Sequence, residues 1–413
     1  MQTPLTNDFF TNNRQKIRAQ LPQRYPVVLM ANGTLQRTND TTFPFQQESN
    51  FWYLTGLNEP DVIVVIHPDY EYLILPETNA VKSIFDGDFD RDEITRRSGI
   101  TTIYDASAGW DALLHDVKAH KAIYSLTPEQ IFEPDSRIYA NPSQRRGLDK
   151  LRRRVPKVAI HDISSSLARR RMLKQPVEIA AIKEAVRITT ETLHDVRSAL
   201  SLSQFATEFG LEAAISHGFR SLGASGHAYA PIVASGQHAT TLHYVANTGA
   251  LRPNELIVVD VGAEYEHYAA DITRTLSPSK PSPRQQAVLN EVVEIQKQAV
   301  TLLRPGTTLR EYETTVAQLM GKSLAKLRLA TSSSDIQAIR TYFPHASSHF
   351  LGLDVHDVGD YTIPLEENMV LTCEPGIYIP EEGIGVRIED DIVITARGND
   401  NISQNCSYDA YVL

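Results

Sequence analysis

The sequence predicts an α+β fold for residues 173–413, preceded by a smaller α/β domain with a mixed sheet over residues 1–172. Three observations carry this. In the first part, short apolar runs bounded by Gly, Pro, Asn or Asp are interleaved with helical stretches, which is how strands of a layered sheet are punctuated. The second part opens on one long amphipathic pattern and then mixes helices with adjacent strand pairs, without strict strand–helix–strand alternation. The length of 413 residues exceeds one domain, and 42% hydrophobic with 22% charged residues is an ordinary globular balance.

Taken in order, the segment from Asp8 or Phe9 to Leu21 reads as a helix stopped by Pro22. Val27–Met30, Phe51–Leu54, Val62–Ile66, Tyr72–Leu75 and Ala122–Leu126 read as strands, with a helix around Trp110–His120. The basic run Arg145–Arg154 reads as a solvated helix face. The boundary falls near Leu173-Lys174-Gln175-Pro176, where Pro176 suits a first helical turn, and Ile179, Ile182, Val186 and Leu193 then recur at helical spacing. Further helices are expected over 204–217, 284–303 and 308–328, and strands over 229–235, 255–265, 268–276, 369–379 and 384–395. The small, polar segment Ser332–Ala338 is expected to be a loop.

The net charge of -10 argues against nucleic acid or an anionic membrane as the main partner. No apolar run is long enough to span a bilayer, and the N-terminus lacks a basic-then-apolar signal pattern. Two cysteines, Cys373 and Cys406, do not make a disulfide framework. A cytoplasmic protein is the expectation.

The informative segments place acids where a core belongs. Glu255-Leu-Ile-Val-Val-Asp260 is an apolar strand that carries Asp260 into a buried setting, and Tyr268-Ala-Ala-Asp271 does the same one turn later. An ionised carboxylate buried alone costs several kcal/mol, and two in contact repel, so a cation between them is required. Met369–Cys373 delivers Glu374 in the same way, and Val386 and Ile388 alternate with Arg387 and Glu389, which therefore share a face. Asp390 and Asp391 break that alternation, and one of them is expected to pair with Arg387 or a backbone donor. His345, His349 and His356 cluster between these strands, and His243 follows the strand ending near Ser235, whereas His238 reads as structural.

Asp260, Asp271, His349, Glu374 and Glu389 stand in the order and contexts of the metal ligands of the pita-bread metallopeptidases. The strings DVGAEYEHYAADITRT, HFLGLDVHDVG, EPGIYI and GIGVRIEDD resemble the proline-specific branch, which contains aminopeptidase P and prolidase, and Asn39–Gly56 resembles the N-terminal domain of aminopeptidase P. The resemblance covers almost the whole chain. It implies a pita-bread fold for 173–413 and hydrolysis that releases the first residue from peptides with proline second, with prolidase action on Xaa-Pro dipeptides as the alternative. By the same resemblance Asp260 would bind one metal ion, Asp271 and Glu389 would bridge two, and His349 with Glu374 would complete the second. His243 and His356 match histidines that contact substrate or shuttle protons, and His345, Tyr378 and Arg387 match residues lining the proline pocket. Glu374 is also the expected general base. Four carboxylates and one imidazole favour two Mn2+ ions, although Zn2+, Co2+ or Mg2+ could occupy such a site. A homodimer or homotetramer is implied. The sequence departs from the branch at Ala346 and Ser347, where Gly and an aliphatic residue are usual, and at Phe85, where some relatives place a tryptophan that reaches a neighbouring subunit's site.

Overall fold

The computed structural model describes residues 5–78, 80–128, 130–133, 137–201 and 204–411. The chain divides into two compact units between Ala168 and Arg169. In the first, a six-stranded sheet runs in the order 159–162, 122–125, 27–30, 63–66, 71–74, 103–104. It is mixed: 27–30 pairs antiparallel with 63–66 and parallel with 122–125, and 71–74 pairs parallel with 103–104.

One expected strand is a helix. Ser49–Thr55 is helical, with the Glu48 carboxylate accepting from the Phe51 N–H at 2.6 Å and Gly56 closing the C-terminus at φ 69°. Phe51, Trp52, Tyr53 and Leu54 are all buried, so no polar position marks a helical period, and an apolar run of that length reads equally as a strand. Only glycine fits at 56, because a Cβ there would lie 2.4 Å from the Phe10 ring.

In the second unit, helix Pro176–Ser201 leads into Glu208–Ser221, Pro283–Leu302 and Leu309–Lys326. The last two begin with reciprocal capping boxes, Ser282 with Gln285 and Thr308 with Glu311. The expected loop 332–338 gives way to helix Ile336–Tyr342, because Asp335 caps it by accepting from the Ala338 N–H at 3.0 Å. Val288, Val292 and Ile295 of the third helix and Tyr312, Val316 and Met320 of the fourth join Leu371, Ile392 and Ile394 in one core.

Two antiparallel hairpins position the acids. In the first, Ile257–Val261 pairs with Ile272–Leu276, and the same register continues through Ala263–Tyr265 and Tyr268–Ala269. Its turn is Glu266-His267, both at positive φ (49° and 63°), the geometry that matches strand twist. In the second, Val370–Cys373 pairs with Asp390–Thr395, and Gly376–Ile379 with Ile384–Arg387. The hairpins join through the Glu389 N–H, which donates to the Thr273 carbonyl at 3.1 Å. Ile257, Val258, Val259 and Val261 are all buried. At about 1.5–3 kcal/mol each, their burial outweighs the several kcal/mol that one poorly compensated carboxylate costs. The apolar pattern thus fixes the strand and takes Asp260 inside with it.

Candidate active site

The register sets Asp260 opposite Thr273, and Asp271, two residues before Thr273 on the antiparallel partner, faces the same side. Both carboxylates touch one hydroxyl: Tyr229 Oη lies 2.6 Å from Asp260 Oδ1 and 2.6 Å from Asp271 Oδ1. A phenol has one proton to donate, so the second contact needs a proton or cation on the acids. Glu389 accepts from the Thr273 hydroxyl at 2.6 Å, and Glu374 from the Thr372 hydroxyl at 3.2 Å. His349 Nε2 lies 3.4 Å from Asp271 Oδ2 and 3.5 Å from Glu374 Oε1. Its Nδ1 is 2.9 Å from the Phe350 carbonyl, which can only accept, so Nδ1 carries the proton and Nε2 faces the acids.

All five expected ligands therefore converge, and ligand atoms of Asp271, His349 and Glu389 lie within 4.8 Å of one another. Burial pushes Glu374 up to about 7 and raises Glu389 and Asp260 as well, with the neighbouring acids adding to each rise. Burial alone would lower His349, but Asp271 and Glu374 outweigh it and lift the imidazole to about 9. Without metal this cluster holds protons that divalent cations would replace, and the oxygen-rich donor set fits such ions.

Arg387 Nη2 lies 2.5 Å from Asp260 Oδ2, so the guanidinium pairs with Asp260 and not with Asp390 or Asp391. Asp390 pairs with Arg274 at 2.6 Å, and Asp391 accepts the Asp271 N–H at 3.1 Å. Arg387 also donates to Tyr378 Oη at 3.0 Å, and Tyr378 Oη lies 2.9 Å from His345 Nε2. Burial, then the Arg387 charge, lower His345 to about 4, so it is neutral. His356 meets His349 edge to face at 4.4 Å between ring centres, and burial and that neighbour lower its pKa. His238 pairs with Glu208 at 3.0 Å and stacks on Tyr244, in keeping with a structural part.

A cavity of about 670 Å³ collects these groups. All five expected ligands line it with His243, His345, His356 and Arg387, and Ile232, Leu242, Val245 and Val355 give it apolar wall. Tyr378 stands behind His345 and Arg387 instead of in the wall. Tyr229 carries no signal in the sequence: it precedes strand Ile232–Ser235, and a lone aromatic there has no telling spacing. Ser347 is accommodated locally, since its N–H and hydroxyl donate to Glu313 at 2.9 and 3.0 Å.

The sequence matches metallopeptidase family M24 over residues 180–396 and the aminopeptidase P N-terminal domain over residues 10–124. The Xaa-Pro aminopeptidase of Escherichia coli K12 is 33% identical, covering 95% of this chain and 94% of its own. Among solved structures, proline aminopeptidase P II from Yersinia pestis superposes with a TM-score of 0.86 at 31% identity, covering 98% of each chain. Zinc-substituted E. coli aminopeptidase P in complex with product gives 0.86 at 30% identity, covering 99% of this chain and 97% of that one.

Proposed function

We infer a two-metal peptidase reaction from one premise: this chain belongs to metallopeptidase family M24, and it is a metal-dependent Xaa-Pro aminopeptidase. The observation that carries the reaction is the convergence of four carboxylates, Asp260, Asp271 and Glu389 buried and Glu374 partly so, and one imidazole on a single cavity. Asp260, Asp271, His349, Glu374 and Glu389 would hold two divalent ions, Mn2+ first among them because the donors are hard and mostly oxygen. Ions held there would lower the pKa of a bound water toward about 7 and polarise the scissile carbonyl.

The protein's own groups do the rest. Glu374 takes a proton from the attacking water and passes it to the departing proline nitrogen. His243 or His356 hydrogen-bonds the oxyanion as it develops. His345 and Arg387, braced from behind by Tyr378, frame the proline ring. An Xaa-Pro bond has no N–H, so a site that fits a ring in place of a donor accepts what other peptidases reject. Purified Mn2+-loaded protein is expected to cleave Xaa-Pro-Pro peptides and to lose most of that activity when the second residue is alanine. A strong preference for Xaa-Pro dipeptides would move the reading to prolidase.

The partners we propose are peptides with proline second and further copies of this chain, as a homodimer or homotetramer. Helix Ala80–Asp86 supports self-association, because Val81, Ile84 and Phe85 form an apolar stripe and are 64%, 80% and 82% exposed. Light scattering should report an oligomer, and Phe85→Asp should shift it toward monomer. No helix among the described residues is long and apolar enough to cross a membrane. The two unpaired, buried cysteines support a cytoplasmic location.

A further inference from the structure

We propose that Asp357, clamped by Arg171 and Lys174, is a positioning residue that fixes both His349 and His356 against the carboxylate cluster. The clamp is buried: the side chains of Arg171, Lys174 and Asp357 are 2%, 1% and 1% exposed. Arg171 Nη2 donates to Asp357 Oδ1 at 2.5 Å and to Asp354 Oδ2 at 2.6 Å, and Lys174 Nζ donates to Asp357 Oδ2 at 2.9 Å. None of the three clamp residues lines the cavity, so the clamp acts on the reaction only through something it holds. Stability is a weak reason for such a clamp, because well-packed apolar residues replace buried ion pairs without loss in many proteins.

What it holds is the loop that carries the two histidines. The Asp357 N–H donates to the Phe350 carbonyl at 2.9 Å. That same carbonyl accepts the His349 Nδ1–H at 2.9 Å. The carboxylate clamp therefore anchors the backbone group that sets the His349 tautomer and turns its Nε2 toward Asp271 and Glu374. Asp357 is also the residue after His356, whose ring rests edge to face on His349.

Gly352 closes the unit. Its carbonyl accepts the Ala269 N–H at 2.8 Å, which ties the loop to the chain two residues before Asp271. A Cβ at this position would lie 2.1 Å from Asp357 Oδ2 and 3.0 Å from Lys174 Cε. Glycine is thus required by the close approach of the clamp, and a methyl group here would push on the clamp without removing a charge.

The inference rests on the roles proposed above for His349 and His356, so the test separates the two. Three variants are compared with the wild-type chain: Asp357→Asn, Gly352→Ala, and the apolar combination Arg171→Met, Lys174→Met, Asp357→Leu. Each is measured for kcat and KM on an Xaa-Pro-Pro peptide, for Mn2+ retained after equilibrium dialysis, for Tm, and for the histidine tautomers by ring 15N NMR of the metal-free protein above about pH 10, where His349, lifted to about 9, has lost its second proton. The expected result is a fall of about 10–100-fold in kcat or Mn2+ affinity with KM little changed. His349 should lose its single Nδ1–H form in each variant, and the apolar combination should fold with near wild-type Tm yet stay impaired. The tautomer is read without metal or substrate, so it judges the positioning even if the peptidase roles prove wrong. If Asp357→Asn does not fold, the other two variants decide. An apolar combination with wild-type kcat, Mn2+ retention and His349 tautomer would reduce the clamp to a structural feature and overturn the proposal.

Discussion

Glu374→Gln is expected to lower kcat by about 10²–10⁴-fold at saturating Mn2+ while leaving the fold intact. Glu374 follows strand Val370–Cys373, and its N–H is fixed by the Ser347 carbonyl at 2.9 Å. Thr372 orients one carboxylate oxygen, and the other faces His345 Nδ1 at 3.6 Å. Glutamine keeps that shape and can still coordinate through its carbonyl, but it cannot take a proton from water near neutral pH. Removing a charge that burial disfavours should hold or raise the Tm of the metal-free protein. Steady-state kinetics with excess Mn2+ separate loss of the base from loss of a ligand. Turnover close to wild type would take the base role from Glu374 and point to a histidine.

Stripping metal is expected to abolish activity and to expose a pH dependence whose sign is set by the site. Free glutamate titrates near about 4.3 and histidine near about 6.5. In the folded, metal-free chain, burial raises Glu374 to about 7 and lifts Asp260 and Glu389, and the acids bring His349 to about 9 against the pull of burial. Between these values the folded state binds more protons than the unfolded one. The stabilisation is complete below the unfolded pKa values and is lost as pH rises through the folded ones. Metal-free Tm should therefore fall from about pH 6.5 to pH 9, whereas below that range the lowered His345 and His356 contribute a slope of the opposite sign. Glu178, also raised by burial to about 7, adds a slope of the same sign that metal leaves untouched. The diagnostic is thus the gap between Mn2+-loaded and metal-free Tm, which should widen with pH. Calorimetry in buffers of different ionisation enthalpy should show protons released as Mn2+ binds. A gap that stays constant across this range would mean that the cluster does not store protons.

The acids were legible because the residues around them left no choice. Four consecutive apolar residues before Asp260 commit the strand to burial, and alternation then decides which face each charged neighbour takes. Where burial is complete on every side the pattern goes silent, which is why Phe51–Leu54 reads as a strand until Glu48 and Gly56 show a capped helix. Ser332–Ala338 misleads for the opposite reason: small polar residues read as loop, and a single cap at Asp335 reverses that. Tyr229 and the Asp357 clamp were hidden because their partners are remote. Lys174 and Asp357 are 183 positions apart, and no local spacing announces such a pair.

The joining of the two hairpins also governs when the site comes into being. Arg387 and Asp260 are separated by 127 positions, Asp391 and Asp271 by 120, and Glu389 and Thr273 by 116. Loops that long close late on a folding route, after local helices and turns have formed. A contact absent from the transition state changes the rate of unfolding far more than the rate of folding. Ions held by this chain would then act as a latch on a finished structure, lengthening the lifetime of the native state without hastening its arrival.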